Sequence, residues 1–256
     1  MTCVLKKHLA SVFTGKTTIL LLLSVVFFFA PDVSAQRRFS KTYPATRTVR
    51  VTLTNRSGTV TVEGWNRPEV QIQAYLEAPS AAINPQVLDG LILINVVKDN
   101  YGRTDVGNVN FTIRVPYDAA VDIETKIGNL NVSSVRGTLV RAKISSDGDI
   151  TLTNINAKLV TAENGIGNIF FDGNLRQEGA YRFTSMRGDI NLRIPFNSSF
   201  KLIATAPSTR SINLGSFNNG NMRFVADGRR VTGQVGDGSS SITVVNQRGT
   251  IAFILR

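Results

Sequence analysis

The stretch "FTSMRGDINLRIP", residues 183–195, decides the fold. Taken alone, its Arg187-Gly188-Asp189 spells a cell-attachment tripeptide. Beside "KIGNLN" (126–131), "SDGDIT" (146–151), "GIGNIF" (165–170) and "QRGTIA" (247–252), it is one copy of a repeat. Each copy has a Gly, then a small polar residue, then apolar residues two and four positions after the Gly. Gly128 leads to Leu130 and Val132, Gly148 to Ile150 and Leu152, Gly167 to Ile169 and Phe171, Gly188 to Ile190 and Leu192, and Gly249 to Ile251 and Phe253. Gly58, with Val60 and Val62, obeys the same rule, and Gly137 obeys it halfway, because Leu139 is followed by Arg141. A Gly supplies the positive φ of a turn. The polar neighbour bonds the turn backbone. Residues two and four further on lie on one face of a strand.

Gly128, Gly148, Gly167 and Gly188 are 20, 19 and 21 residues apart, and strand starts at Ile190, Ile212, Val231 and Ile251 extend the series. A second strand falls mid-period, near Leu139, Leu159, Tyr181, Leu202 and Ile242. A fixed period near 20 residues is the signature of a solenoid, in which no unit buries its apolar face alone. The expectation is an all-β chain: a single-stranded β-helix-like β-solenoid over 120–256, behind an N-terminal β cap region over 36–119. The alternative is an antiparallel β-sandwich, which also has short strands at close intervals. In the cap, "EAPSAAINPQ" (77–86) and "KDNYGRTDVGN" (98–108) read as loops, and "GTIAFILR" (249–256) is expected to close the far end.

Before the cap, Lys6, Lys7 and Lys16 precede the apolar run "ILLLLSVVFFFA" (19–30), and "PDVSA" (31–35) follows it. This is the pattern of a signal peptide over 1–35 with cleavage after Ala35, and the run is short for a membrane span. The only Cys and the only His, Cys3 and His8, lie in that leader. Export without disulfides points to a bacterial envelope, with the product in the periplasm, at the cell surface or outside the cell. Loss of Cys and His removes Ser–His–Asp triads, Cys nucleophiles and His-based zinc sites from the exported chain.

The sequence carries a net charge of +11, falling to +9 without the leader, and Arg supplies 20 of the 29 cations. Such a chain is drawn to polyanions. Arg136, Arg187 and Arg248 each immediately precede a Gly of the repeat, so stacking brings some of them to one edge; Arg141, Arg182 and Arg193 add charge on neighbouring strands. Guanidinium groups suit phosphate, sulfate and carboxylate through paired bonds. The bland reading of the same residues is a solvated rim. Trp65, the only tryptophan, is a candidate for stacking on a sugar ring, against a packing role where cap meets solenoid. Asp147, Asp149 and Asp189 read as turn-capping residues set by the period rather than as a calcium cluster, so no cofactor or metal is expected. Ser198-x-x-Lys201 has the spacing of serine acyl enzymes, but on a strand its two ends face opposite sides.

Three segments together resemble a bacterial exported family, the domain of unknown function 4097, described as candidate adhesins with β-strand repeats. They are "SGTVTVEGWNRPEVQIQA" (57–74), "FTIRVPYDAAVDIETKIGNLNV" (111–132) and the Gly-Asp-Ile copies at 148–150 and 188–190. The resemblance implies a surface or periplasmic β-repeat protein and no catalytic residues. The expectation for function is a non-enzymatic envelope scaffold that binds acidic polysaccharide, lipopolysaccharide or another envelope protein, with no specific nucleic-acid partner and no transmembrane segment once the leader is removed. The alternatives are a small β-helix polysaccharide lyase and a purely structural envelope module.

Overall fold

A computed structural model describes residues 37–256. The expected leader, 1–35, lies outside the described residues. The chain runs through β1 (Arg37–Pro44), β2 (Arg50–Ser57), β3 (Val60–Trp65), β4 (Glu69–Leu76), β5 (Gln86–Leu88), β6 (Leu91–Asn95) and a one-turn helix α1 (Val96–Asp99). Next come β7 (Val109–Pro116), β8 (Ala120–Ile127), β9 (Leu130–Ser133), β10 (Leu139–Asp147), β11 (Ile150–Ile155), β12 (Leu159–Ile166) and β13 (Ile169–Gly173). The last third holds β14 (Ala180–Arg187), β15 (Ile190–Ile194), β16 (Phe200–Thr205), β17 (Ile212–Asn213), β18 (Arg223–Val225), β19 (Arg230–Val235), β20 (Ser240–Asn246) and β21 (Ile251–Leu255).

These strands form two large sheets with the core between them. The first has the order β1-β4-β7-β3-β9-β11-β13-β15-β21-β17, the second β18-β19-β16-β20-β14-β12-β10-β8-β2-β6-β5. Each rung places one strand in each sheet, and rung stacks on rung in parallel: β8 on β10 on β12 on β14, and β9 on β11 on β13 on β15. The all-β solenoid expectation therefore holds. A meander of antiparallel strands does not account for it, because the rungs pair in parallel; antiparallel strands occur only at the ends.

The repeat has a physical cause at each position. Gly188 has φ +123°, and a Cβ on it would collide with the carbonyl oxygen of Gly167 one rung away; Gly249, at φ +143°, stands in the same relation to Gly188. Only a residue without a side chain lets the turns stack this closely. The polar residue after each Gly links rungs. Asn129 Oδ1 accepts from the Asp149 amide at 2.9 Å, and Asp149 Oδ1 accepts from the Asn168 amide at 2.6 Å. Asn168 Oδ1 accepts from the Asp189 amide at 2.9 Å, and Asp189 Oδ1 from the Thr250 amide at 2.7 Å. Inside the turns, the buried Asn164 and Asn246 each donate at 2.8 Å to a glycine carbonyl, those of Gly148 and Gly188. Leu130, Ile150, Ile169, Ile190 and Ile251 follow as a fully buried column.

The order of the rungs departs from the order of the chain at both ends. The rung β2–β3 lies between β6–β7 and β8–β9. The last rung in sequence, β20–β21, is inserted between β14–β15 and β16–β17. The segment expected to close the far end is thus interior, and the hairpin β18–β19 lies at that end of the second sheet, with β19 antiparallel to β16. Val231 consequently starts no parallel rung. Residues 37–119 supply both two rungs of the stack and the antiparallel strands beyond them. The mid-period strands exist, but Val140 and Val160 face the core, whereas Leu139 and Leu159 face outward.

Aromatic side chains fill the core of the later rungs. Phe171 lies 5.1 Å from Phe183 and 6.0 Å from Tyr181, centroid to centroid. Phe200, Phe217 and Phe253 form a second group under the inserted rung. The edge strand β1 carries exposed Arg37, Arg38 and Lys41, charges that disfavour pairing with another chain.

Candidate functional site

Every rung has two turns, so the stack has two edges and two outer faces. Arg187 and Arg248 occupy adjacent rungs on the glycine edge: the Gly188 amide donates to the Arg248 carbonyl at 2.9 Å, as the Gly167 amide donates to that of Arg187 at 2.8 Å. Arg136 is not with them. Its Gly137 belongs to the opposite, loop-bearing edge, where a Cβ would strike the Ala119 backbone. There the Arg136 guanidinium lies 4.7 Å above the Tyr117 ring. The three arginines that share a position in sequence are therefore split between two edges.

Trp65 stands on the same loop edge as Arg136. Its indole N–H donates to the Glu69 carbonyl at 2.9 Å, and its ring has guanidinium groups at 4.9 Å (Arg67) and 5.9 Å (Arg114). Trp65, Arg67, Tyr117 and Arg47 line a small cavity of about 100 Å³. Trp65 is half-buried. The structure thus joins two sequence candidates, Trp65 and Arg136, through Tyr117, which the sequence did not single out; the "VPY" turn at 115–117 was the available signal.

The outer face of the second sheet holds Arg141 and Arg182. Register places them in one column that runs Asp122, Arg141, Thr161, Arg182, Thr243, Ile203, Thr232, Arg223. The two halves of this face differ electrostatically. On β2 and β10 the cations Arg50, Arg141 and Lys143 are paired with acids, whereas Arg56 and Lys126, at the glycine-edge ends of β2 and β8, make no ion pair among the described residues. Asp122 accepts from Arg50 at 2.8 Å and from Arg141 at 2.9 Å, while Glu124 lies 3.1 Å from Lys143. The hydrogen bond to Asp122 raises the pKa of Arg141. On β14, β16, β19 and β18 the exposed cations are Arg182, Lys201, Arg230 and Arg223. Among the described residues none of these four makes an ion pair. Hydroxyl side chains, Thr184, Ser241, Thr243 and Thr232, separate them, and Lys201 and Arg223 flank an open cleft of about 640 Å³. Lys201, Arg223 and Arg230 were not evident in sequence, because they converge only through the chain reversal that places β19 beside β16.

Arg193 is on the outer face of the first sheet. It donates to Asp172 at 2.6 Å, which raises its pKa, and it is committed to that carboxylate. Of the carboxylates that could have suggested lyase or calcium chemistry, Asp149 and Asp189 are engaged in the inter-rung ladder and Asp122 between two arginines, whereas the Asp147 side chain makes no hydrogen bond or ion pair among the described residues. Ser198 lies in a turn and Lys201 on the outward side of β16. Among the described residues no group of three or more His, Cys, Asp or Glu could hold a metal ion, and no helix is long and apolar enough to cross a membrane.

The sequence profile of the family described as Toastrack DUF4097 matches residues 32–253. Solved structures with a similar course include a candidate cell adhesion protein from Clostridium sporogenes, at 15% identity and a TM-score of 0.49, covering 86% of this chain and 98% of that one. A candidate adhesin from Bacteroides fragilis aligns at 10% identity and a TM-score of 0.39, covering 87% and 99%. A candidate lipid binding protein from Parabacteroides distasonis aligns at 8% and 0.33, covering 87% and 95%. No curated protein matches the chain.

Proposed function

The chain belongs to the Toastrack DUF4097 family, and from that premise we propose that it is an exported, non-catalytic, adhesin-like scaffold of the bacterial envelope that binds acidic polysaccharide or lipopolysaccharide phosphate. The binding surface is the far half of the second sheet's outer face, with Arg182, Lys201, Arg223 and Arg230 as the contacts. The observation that carries the reading is the contrast within one sheet: Arg50, Arg141 and Lys143 on β2 and β10 are paired with acids, whereas Arg182, Lys201, Arg223 and Arg230 on β14, β16, β18 and β19 are exposed and unpaired. A guanidinium already bound to a carboxylate has little left to offer a ligand. Unpaired ones on a rigid sheet, with hydroxyls between them, present donors without first breaking a bond. Arg187 and Arg248 on the glycine edge are a secondary contact for a polymer long enough to wrap.

The test is binding of the purified protein to lipopolysaccharide and to a panel of acidic and neutral polysaccharides. Affinity for the acidic members is expected to fall about tenfold between about 0.05 and 0.3 M salt, because exposed charges are screened beyond roughly 10 Å at 0.1 M. Arg182→Ser with Arg223→Ser should reduce it further, whereas Arg193→Ser should not. Equal binding of neutral and acidic polymers, or no binding at low salt, overturns the reading. An absorbance rise from unsaturated uronate products would show a lyase instead.

A further inference from the structure

The loop edge has a second recess, chemically unlike everything around it. Three consecutive rungs contribute turns there: 174–179 between β13 and β14, 236–239 between β19 and β20, and 195–199 between β15 and β16. They enclose a cleft of about 470 Å³ whose polar walls are Asn174, Gln177, Asn197, Ser198, Asp237 and Ser239. In a protein of net charge +11, no Arg or Lys lines it. Insertions on one edge of a solenoid are where such folds carry binding sites, and loops on a rigid scaffold do so generally.

The side chains have capacity to spare. Asp237 Oδ1 accepts from the Ser239 amide at 2.9 Å, an Asx turn that fixes the carboxylate in place. Hydrogen bonding from Ser239, through its hydroxyl first and then its amide, holds the Asp237 pKa below the usual carboxylate value, so it is ionised and rejects anions. Asn174 Oδ1 accepts from Arg256 at 3.2 Å, which points its amide N–H₂ elsewhere. Gln177 and Asn197 make no side-chain hydrogen bond among the described residues, and neither does the Ser198 hydroxyl. Amides and hydroxyls are donors and acceptors together. A carboxylate beside amides matches a pair of neighbouring hydroxyl groups: the carboxylate accepts from them and the amides donate to their oxygens. On the same turn, between the lining residues Pro195 and Asn197, Phe196 is 73% exposed. An aromatic ring there gives an apolar surface to the C–H face of a pyranose, the usual complement to a few placed polar groups in a ligand site.

We propose that this cleft is a subsite for an uncharged saccharide, with Asp237, Asn197 and Asn174 binding ring hydroxyls and Phe196 stacking on the ring. The subsite is separate from the cationic face and extends the proposed function: the protein would hold a neutral residue of a glycan at its loop edge and an acidic stretch on its sheet. Phe196 and Asn197 are exposed, so replacing them leaves the core intact. The probes are uncharged oligosaccharides ending in glucose, galactose, mannose or N-acetylglucosamine, read by saturation-transfer NMR and calorimetry on the purified protein. The expected result is weak binding of at least one class, unchanged between about 0.05 and 0.5 M salt because no ionic contact is screened. Phe196→Ala and Asn197→Ala should each weaken it at least about fivefold, and Asp237→Ala should abolish it, while Arg182→Ser leaves it alone. Absence of transfer to every neutral probe overturns the proposal, as does binding that survives Phe196→Ala and Asn197→Ala together. Salt-sensitive binding of acidic polymers alone overturns this subsite but leaves the cationic face standing.

Discussion

Gly188→Ala tests the physical basis of the repeat. A methyl group at Gly188 meets two objections. The backbone there has φ +123°, a region L-residues rarely adopt, and the new Cβ would overlap the Gly167 carbonyl, with the Asn168 nitrogen 3.2 Å away. Residues held in such regions cost about 1–3 kcal/mol. Forcing an extra carbon into close-packed surroundings costs about 1–3 kcal/mol more. The neighbour is main chain that also carries the rung-to-rung hydrogen bonds, so it cannot turn aside as a side chain would. The total is about 2–6 kcal/mol, and at roughly 2–4 °C per kcal/mol for a chain of this size the midpoint should fall by at least roughly 4 °C. Gly220→Ala is the control, since a methyl group on Gly220 would have nothing within 4 Å of it. It should leave stability within about 0.5 kcal/mol or raise it slightly. Thermal and urea unfolding followed by far-ultraviolet circular dichroism compare the two. Hydrogen exchange should localise the damage to the rungs 159–173 and 180–194, because a stacked array is a sum of neighbour interfaces. If Gly188→Ala and Gly220→Ala unfold within about 1 °C of each other, close stacking is not the reason for the glycine column.

Other expectations follow from the side chains. Asp149→Asn should cost under about 0.5 kcal/mol and Asp149→Ala about 0.5–2 kcal/mol by urea unfolding, because the ladder needs an acceptor and not a charge; calcium should shift neither midpoint. Asp122→Asn should cost about 0.5–1 kcal/mol, an amount limited by the exposure of Arg50 and Arg141 and smaller at high salt. It should also strengthen polyanion binding, because it frees two guanidinium groups. Tyr181→Phe should cost about 1–3 kcal/mol: the phenol accepts from the Arg176 amide at 2.6 Å and donates to the buried Ala157 carbonyl at 3.1 Å, and both would lose a partner. Burial raises the Tyr181 pKa above the ordinary phenol value of 10.0. The unfolded phenol therefore ionises first, so this contribution is complete below about pH 10 and is lost as pH rises through the folded value. Ultraviolet titration of wild type against Tyr181→Phe should show the late-titrating phenol disappear.

The rung itself was legible because its determinants are local. Gly188, Asp189, Ile190 and Leu192 specify a turn, an inter-rung acceptor and two inward side chains within five residues, and neighbouring copies repeat the specification. Where the local pattern is ambiguous, it does not say which residues face the core. Leu139 and Leu159 are as apolar as Val140 and Val160, and only the packed core shows that the valines point inward. Gly137 resembled the repeat glycines, and its failure to continue with two apolar residues was the sign that it belonged to the other edge. That one assignment carried Arg136 away from Arg187 and Arg248 and beside Tyr117.

By itself, then, the sequence determined the all-β solenoid, its period near 20 residues, its inward columns and the absence of His and Cys from residues 36–256. The tertiary structure decided which rung stacks on which, and with that which charges meet. Parallel rungs share one geometry and nearly one pattern, so each fits on several others; nothing local tells β20–β21 to enter between β14–β15 and β16–β17. Long-range packing makes that choice, through Phe253 against Phe200 and the Asp189–Thr250 bond. The same insertion turns β19 back along β16 and gathers Lys201, Arg223 and Arg230 near Arg182, a cluster whose members lie up to 48 residues apart in the chain.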